Sequence, residues 1–424
     1  MKGRWEVKRL GEVCELIARG VAPRYINDGG ICVLNQKCVR DHKVNYELAR
    51  RHNAAAKRVV SERLVRAGDV LINSTGTGTL GRVAQVREEP PEPTTVDTHV
   101  TIVRPQIERF YPDFFGYMLV QIEDEIAASG EGASGQTELA RNVIENRFQV
   151  SFPTSLPEQK RIVALLDEAF AGIATATANA EKNLANARSL VDIAISERLS
   201  RVSQDQYQSM TVSQLAEDRK NSIRTGPFGS QLLHSEFVDK GIAVLGIDNV
   251  VQNQFCWGKR RYITPDKFQE LTRYKVFAGD VLISIMGTCG RCAVVPNDIQ
   301  LAINSKHLCC ISVDRSRCLP EFLKLYFLHH PIARKYLDEH ASGAIMAGLN
   351  MQIIKDLPVL LPSPKEQSAI IKTCERLSSS MSDLTKLYSR KRTHLANLKQ
   401  AILRQAFSGD LTAASAASLL EEAA

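Results

Sequence analysis

Three groups of residues in the 424-residue chain have types and spacings that could do chemistry. The first is Gly76-Thr-Gly78-Thr-Leu-Gly81, a literal G-x-G-x-x-G just after the apolar run Val70-Leu-Ile. In a dinucleotide site such glycines let the backbone approach a pyrophosphate at the N-terminus of a following helix. Here the next run, Gly81-Arg-Val-Ala-Gln-Val, alternates as a strand does, and a turn needing positive φ explains the glycines without a ligand. The second group is Cys289, Cys292, Cys309 and Cys310. A structural zinc site wants two separated pairs, whereas adjacent cysteines on a strand face opposite ways, so buried free thiols are expected. The third is His99 and His307, which recur at matching positions. No Ser, Cys or Asp is spaced as a nucleophile or base partner, so hydrogen-bonded structural histidines are expected. The sequence has no Walker A motif, no H-E-x-x-H, no Asn-Pro-Pro-Tyr-type methyltransferase tetrapeptide and no duplicated carboxylate pair suited to Mg²⁺. These residues suit binding better than reaction.

Basic groups point to what is bound. One cluster is Asn35-Gln36-Lys37-Cys-Val-Arg40, with Arg50-Arg51 and Lys57-Arg58. Another is Lys259-Arg260-Arg261-Tyr262, with Arg273 and Lys275. Lys and Arg neutralise phosphates, and Arg, Asn and Gln pair with base edges. A net charge of +7 leans the same way without deciding it. Any one cluster could be a solvated surface; two in duplicated domains favour nucleic acid.

The elements that must position these residues are also duplicated. Ala67-Gly68-Asp69-Val70-Leu71-Ile72 recurs as Ala278-Gly279-Asp280-Val281-Leu282-Ile283, and a glycine-rich turn follows each. Arg19-Gly20 sits opposite Arg224-Thr-Gly226. Ser155-x-x-Glu158 and Ser363-Pro-Lys-Glu366 each read as a capping box that opens a long helix. Apolar or small residues then recur at spacings of four and three: Leu166, Phe170, Ile173, Thr177, Ala180, Leu184, Ala187, Val191 and Ala194 in the first helix. In the second they are Ile370, Cys374, Leu377, Met381, Leu384, Tyr388, Lys391, Leu395, Leu398 and Ile402, with Leu166 and Ile370 taken as equivalent. That period makes a coiled-coil seam, and the two helices most simply bury their stripes on each other. Gly409 reads as a C-terminal cap. The N-terminus is not a signal peptide, no stretch approaches 18 apolar residues, and the ten cysteines are expected to be reduced, so a cytoplasmic chain with no membrane span is expected.

In its duplicated A-G-D-V-L-I…G-x-x-G-R turn, its duplicated helix start Pro157-Glu-Gln and Pro364-Lys-Glu-Gln, and its ending Leu403-Arg-Gln-Ala-Phe-Ser-Gly-Asp-Leu411, the chain resembles the specificity subunit of Type I restriction–modification systems. The resemblance implies an α+β fold, with two tandem α/β target recognition domains separated by two long helices forming an antiparallel coiled coil. Residues 1–153 and 210–362 would be the recognition domains, 154–200 and 363–408 the helices, 201–209 a linker and 409–424 a tail. Each domain would read half of a bipartite target in double-stranded DNA. The helices, roughly 65–70 Å long at about 1.5 Å per residue, would set the spacer. The chain would not be an enzyme and would hold no cofactor. It would dock two methylation subunits and, through them, two restriction/motor subunits; S-adenosylmethionine, ATP and Mg²⁺ would belong to those partners.

The DNA-binding candidates are Asn35, Gln36, Lys37 and Arg40 in the first half, and Arg224, Ser230, Asp248, Asn249, Lys259, Arg260 and Arg261 in the second. Arg82 and Arg291, which follow the repeated turn, read equally as phosphate contacts or as structural ion-pair formers. Three rival readings remain at this stage. One is a coiled-coil scaffold or adaptor without DNA, one a nucleotide-dependent enzyme using residues 76–81, and one the recognition subunit of another multi-subunit restriction system.

Overall fold

The computed structural model describes residues 5–130, 137–341, 349–411 and 418; most of the expected tail, 412–424, lies outside them. The chain divides into two units that cut across its linear order. Unit one is Met1–Glu181 with Tyr388–Ala424, and unit two is Lys182–Leu387.

Each unit is built on the repeated A-G-D-V-L-I strand. In unit one the strand Val70–Asn73 lies between Val83–Gln85 and Val100–Pro105, and Cys14–Arg19 completes an antiparallel sheet of four. In unit two Val281–Ser284 holds the same place among Cys292–Val294, Leu308–Ile311 and Ile223–Thr225. Alternate residues of these strands serve two cores, as a period of two requires. Val70 and Ile72 face the helices, and Leu71 faces a second small sheet. Cys309 and Cys310 divide likewise between the two cores of unit two. In each second sheet a parallel pair lies side by side: Ile31–Leu34 with Thr94–Val96, and Ile242–Leu245 with Ala302–Asn304.

The glycine-rich turns are hairpin turns. Gly76, Gly78 and Gly81 have φ of +110°, +74° and +84°, and the strand Val83–Gln85 follows, where a dinucleotide site needs a helix. Gly81 has a second constraint, because a Cβ there would lie 2.4 Å from Ala127 Cα.

Two 45-residue helices, Leu156–Ser200 and Pro364–Ser408, run through the units. Every predicted seam position is buried or half-buried. In unit one Leu166 and Ile173 share a core with Leu395, Leu398 and Ile402. In unit two Ile195 and Leu199 share one with Ile370, Ile371 and Cys374. The start of one helix therefore meets the end of the other in each unit, which is the antiparallel pairing. Residues 208 apart match in burial: Ile162 with Ile370, Val163 with Ile371, Leu166 with Cys374. Leu166 is thus the counterpart of Cys374, and the expected match to Ile370 is one turn out. By length and composition alone Leu156–Ser200 also meets the requirement for a membrane span, its best 18-residue window averaging 1.2 in hydropathy. The core helix of a soluble protein passes the same test, and no run of 18 consecutive apolar residues is present.

Glu-Gln at each helix start is the joint between helix and globular part. Gln159 is fully buried; its Nε2 donates to the carbonyls of Arg109 (3.0 Å) and Pro153 (2.9 Å), and its Oε1 accepts from Tyr111 N–H (2.8 Å). Gln367 repeats the pattern with Arg317, Pro362 and Leu319. Ser363 and Glu366 form the expected capping box, whereas Glu158 gives its carboxylate to Arg161 at 2.7 and 2.9 Å. At the far end Gly409 has φ +78°, and the next two N–H groups return to Gln405 O, as the C-terminal cap requires.

Candidate nucleic-acid interface

In unit one the strand Ile31–Leu34 delivers the 35–40 loop against the glycine-rich turn. Gln36 Oε1 accepts from Thr79 Oγ1 (3.1 Å), and Gln36 O accepts from Asn73 Nδ2 (3.0 Å). Asn35 caps the loop from within, accepting from Lys37 N–H (2.9 Å) and donating to Leu48 O (3.1 Å). His99 Nδ1 lies 2.6 Å from Thr75 Oγ1, and Arg82 donates to Gly78 O at 2.9 Å. Loop and turn therefore form one edge, from which Lys37 and Arg40 project into solvent. Arg40 sits beside a tight hairpin whose Asp41 and His42 have φ of +51° and +59°.

Unit two builds the same edge from other residues. The loop after Ile242–Leu245 carries Asp248, whose Oδ1 accepts from Arg261 at 3.0 Å. Asn253 Oδ1, in that loop, accepts from Cys292 N–H just beyond the second glycine-rich turn (3.2 Å). Ser230, Lys259, Arg260 and Arg291 are exposed, and Asp248 and Arg261 are half-buried.

Two candidates are corrected by their surroundings. Arg224 is 4% exposed. It donates to Asp280 (2.5 Å), to the carbonyls of Lys275 and Asn221 and to Ser312 Oγ, which leaves its guanidinium nothing to offer a phosphate. The alignment that singled it out is shifted by one. Gly20 and Gly226 are the equivalent pair, because a Cβ at either would strike the neighbouring strand's end, Val96 O or Asn304 O, at about 2 Å. Arg224 then matches Ala18. Asn249 is also 4% exposed; it accepts from Gly246 N–H and donates to Cys256 O, so it shapes the loop from inside.

Sequence reading missed Trp257. It is 40% exposed, its ring packs edge-on to Phe255 at 5.3 Å, and Arg260 lies 5.5 Å over it. An exposed tryptophan two residues before a Lys-Arg-Arg run was the available signal. Burial pushes the Cys292 and Cys309 thiols up to about 12. Cys309 and Cys310 pack into different cores, and among the described residues no group of three or more His, Cys, Asp or Glu is gathered as a metal would need.

A family model, the Type I restriction modification DNA specificity domain, matches residues 2–184 and 239–391. The chain belongs to that family. Its two matched segments each hold one edge of loop and turn. Among curated relatives of this specificity family, the Type I restriction enzyme EcoBI specificity subunit of Escherichia coli is 28% identical over 176 residues. The EcoKI specificity subunit of E. coli K12 is 27% identical over 151 residues. These alignments cover 42% and 34% of this chain and 37% and 32% of the relatives, so the chain spans about a third of their length. The fold extends further than the identity. A solved chain described under complex assembly and conformational transition of the type I R-M system matches with TM-score 0.71 and 18% identity, covering 97% of this chain and 99% of its own. The HsdS subunit from Thermoanaerobacter tengcongensis matches with TM-score 0.54 and 18% identity, covering 96% and 97%.

Proposed function

We propose that this chain is the DNA-reading subunit of a Type I restriction–modification complex and does no chemistry itself. The observation that carries the reading is the duplicated edge: one scaffold presents Asn35, Gln36, Lys37 and Arg40 in unit one, and Asp248, Trp257, Lys259, Arg260 and Arg261 in unit two. Exposed Lys and Arg supply affinity by displacing counterions from phosphates. Gln pairs with adenine and an Asp carboxylate accepts from cytosine N4, so Gln36 and Asp248, released by Thr79 and Arg261, would read different bases, while Asn35 holds its loop through Lys37 N–H and Leu48 O. Ser230 and Arg291 would contact backbone, as would Arg82 if it releases Gly78. The target is bipartite and asymmetric, and helices of roughly 65–70 Å match about two turns of B-DNA.

Two methylation subunits would dock on the near-equivalent surfaces that duplication creates. They would use S-adenosylmethionine to modify adenine, and would in turn recruit ATP- and Mg²⁺-dependent restriction/motor subunits. Methylome sequencing of cells carrying this chain with its methylation partner tests the reading. Methylation at a split, non-palindromic site is expected. A palindromic site, or none in a gel shift of the reconstituted complex, overturns it.

A further inference from the structure

Unit one contains a cavity of about 730 Å³ whose wall includes Lys43, Tyr46, Gln85, Phe170 and Lys399, with the carboxylates of Asp41, Glu88 and Glu89 on the same wall. Two of these groups are uncommitted. Gln85 is 7% exposed, and its Nε2 has no hydrogen-bond partner; a buried amide donor left so is costly and rare. Lys399, half-buried on the C-terminal helix, rests its Nζ 5.1 Å from the centre of the Phe170 ring. Burial holds its ammonium below the usual lysine range, although the Glu123 and Asp41 charges pull the other way.

The repeat supplies the comparison. Val70 pairs with Gln85, and Val281 pairs with Val294, so Val294 is the counterpart of Gln85. The 208-residue helix register makes Val191 the counterpart of Lys399. The helix starts Pro112 and Pro320 make Lys324 the counterpart of Gly116. Val191 and Val294 pack on the apolar core of unit two. A Cβ at Gly116 would lie 2.2 Å from Gln85 Oε1, so only glycine leaves the amide where it is. The first repeat thus places an amide and an ammonium where the scaffold is satisfied by valine, and lacks a side chain beside them. Stability does not account for this, because each exchange buries a polar group in place of apolar surface.

We propose that this cavity binds a small organic anion of mononucleotide size. Gln85 Nε2 donates to an acceptor on its ring, Lys399 with Lys43 holds the anionic group, and Tyr46 and Phe170 flank the flat part; Arg87 is already held by Asp113 and Asp167. The volume lies within the roughly 300–1,000 Å³ of ligand sites, and a few converging polar groups on an apolar wall are what such sites present. This does not rest on the DNA reading.

The test is thermal unfolding of the full chain with adenosine 5′-monophosphate and with inorganic phosphate. The variants Gln85→Val and Lys399→Val, which carry the second repeat's residues, serve as comparison. At about 10 mM nucleotide the native chain should gain about 2–4 °C, phosphate should give less, and either variant should lose the gain. Should a valine variant melt lower by itself, Gly116→Lys, which closes the space, gives the blocked form. No gain in the native chain overturns the proposal. So does an equal gain in the variants, which would assign nucleotide to the DNA-reading edge. DNA affinity should be the same for Gln85→Val as for the native chain, so failure here leaves the specificity reading standing.

Discussion

At the scale of residues, the two copies of one buried aspartate show how a repeat drifts without losing its charge balance. Asp69 is held by Arg104, two bonds of 2.8 Å, from the end of the neighbouring strand. In unit two the position of Arg104 is Ser312, whose hydroxyl donates to Asp280, and the cation arrives from another strand as Arg224. Burying a carboxylate demands a partner, but not a partner from a fixed position. Arg224→Ala should therefore cost about 3–5 kcal/mol of unit-two stability in urea unfolding. Replacing the exposed Lys259 and Arg260 by Ala should leave stability within about 0.5 kcal/mol, weaken DNA binding and lower the slope of log affinity against log salt by about 1–2. An unchanged slope would remove them from the phosphate contacts. The histidines give a pH dependence. Burial pushes His329 and His330 below 6.5, and His307 is pushed down by burial and by Lys306 and Arg261. The unfolded chain takes up protons near 6.5 that these folded imidazoles resist, so their contribution is whole above 6.5 and falls as pH drops below it. The urea midpoint of unit two should fall between about pH 7.5 and about pH 5.5, and His329→Gln with His330→Asn should flatten that fall.

At the scale of elements, the joint between helix and sheet depends on a glutamine in each repeat. Gln159 and Gln367 each satisfy three backbone groups that the helix start would otherwise bury without partners. Leu at either position keeps the volume and removes the bonds. Each change should cost roughly 3 kcal/mol or more. Hydrogen exchange should localise the loosening to the Tyr111 amide in one case and the Leu319 amide in the other; protection there equal to the native chain's would refute the role. The chain after Pro320 forms two helices, Pro320–His329 and Pro331–Ala341, because Pro331 cannot continue the first.

At the scale of the molecule, each 45-residue helix is continuous and contributes residues to both units; under the proposed function its length would set the spacer. Inserting one heptad into both helices at facing positions adds about 10.5 Å, close to 3 base pairs at ~3.4 Å each. The methylated target should keep both half-sequences and gain about 3 base pairs of spacer. A spacer of unaltered length would deny the helices their measuring role.

Repeats, strand alternation, the helix seam and the helix-opening Glu-Gln pairs were legible in the sequence, because each is a local pattern imposed by backbone period or by hydrogen bonds near in the chain. Basic composition, not period, identified the loops at Asn35 and Lys259. What sequence could not settle was which polar residues those loops keep for themselves. Arg224 and Asn249 have the right chemistry for DNA, and only the tertiary structure turns them inward, onto Asp280 and onto the loop backbone. The cavity at Gln85 was invisible for the same reason. Gln85, Gly116 and Lys399 lie far apart in the chain, and their shared surface exists only once sheet and helices have packed.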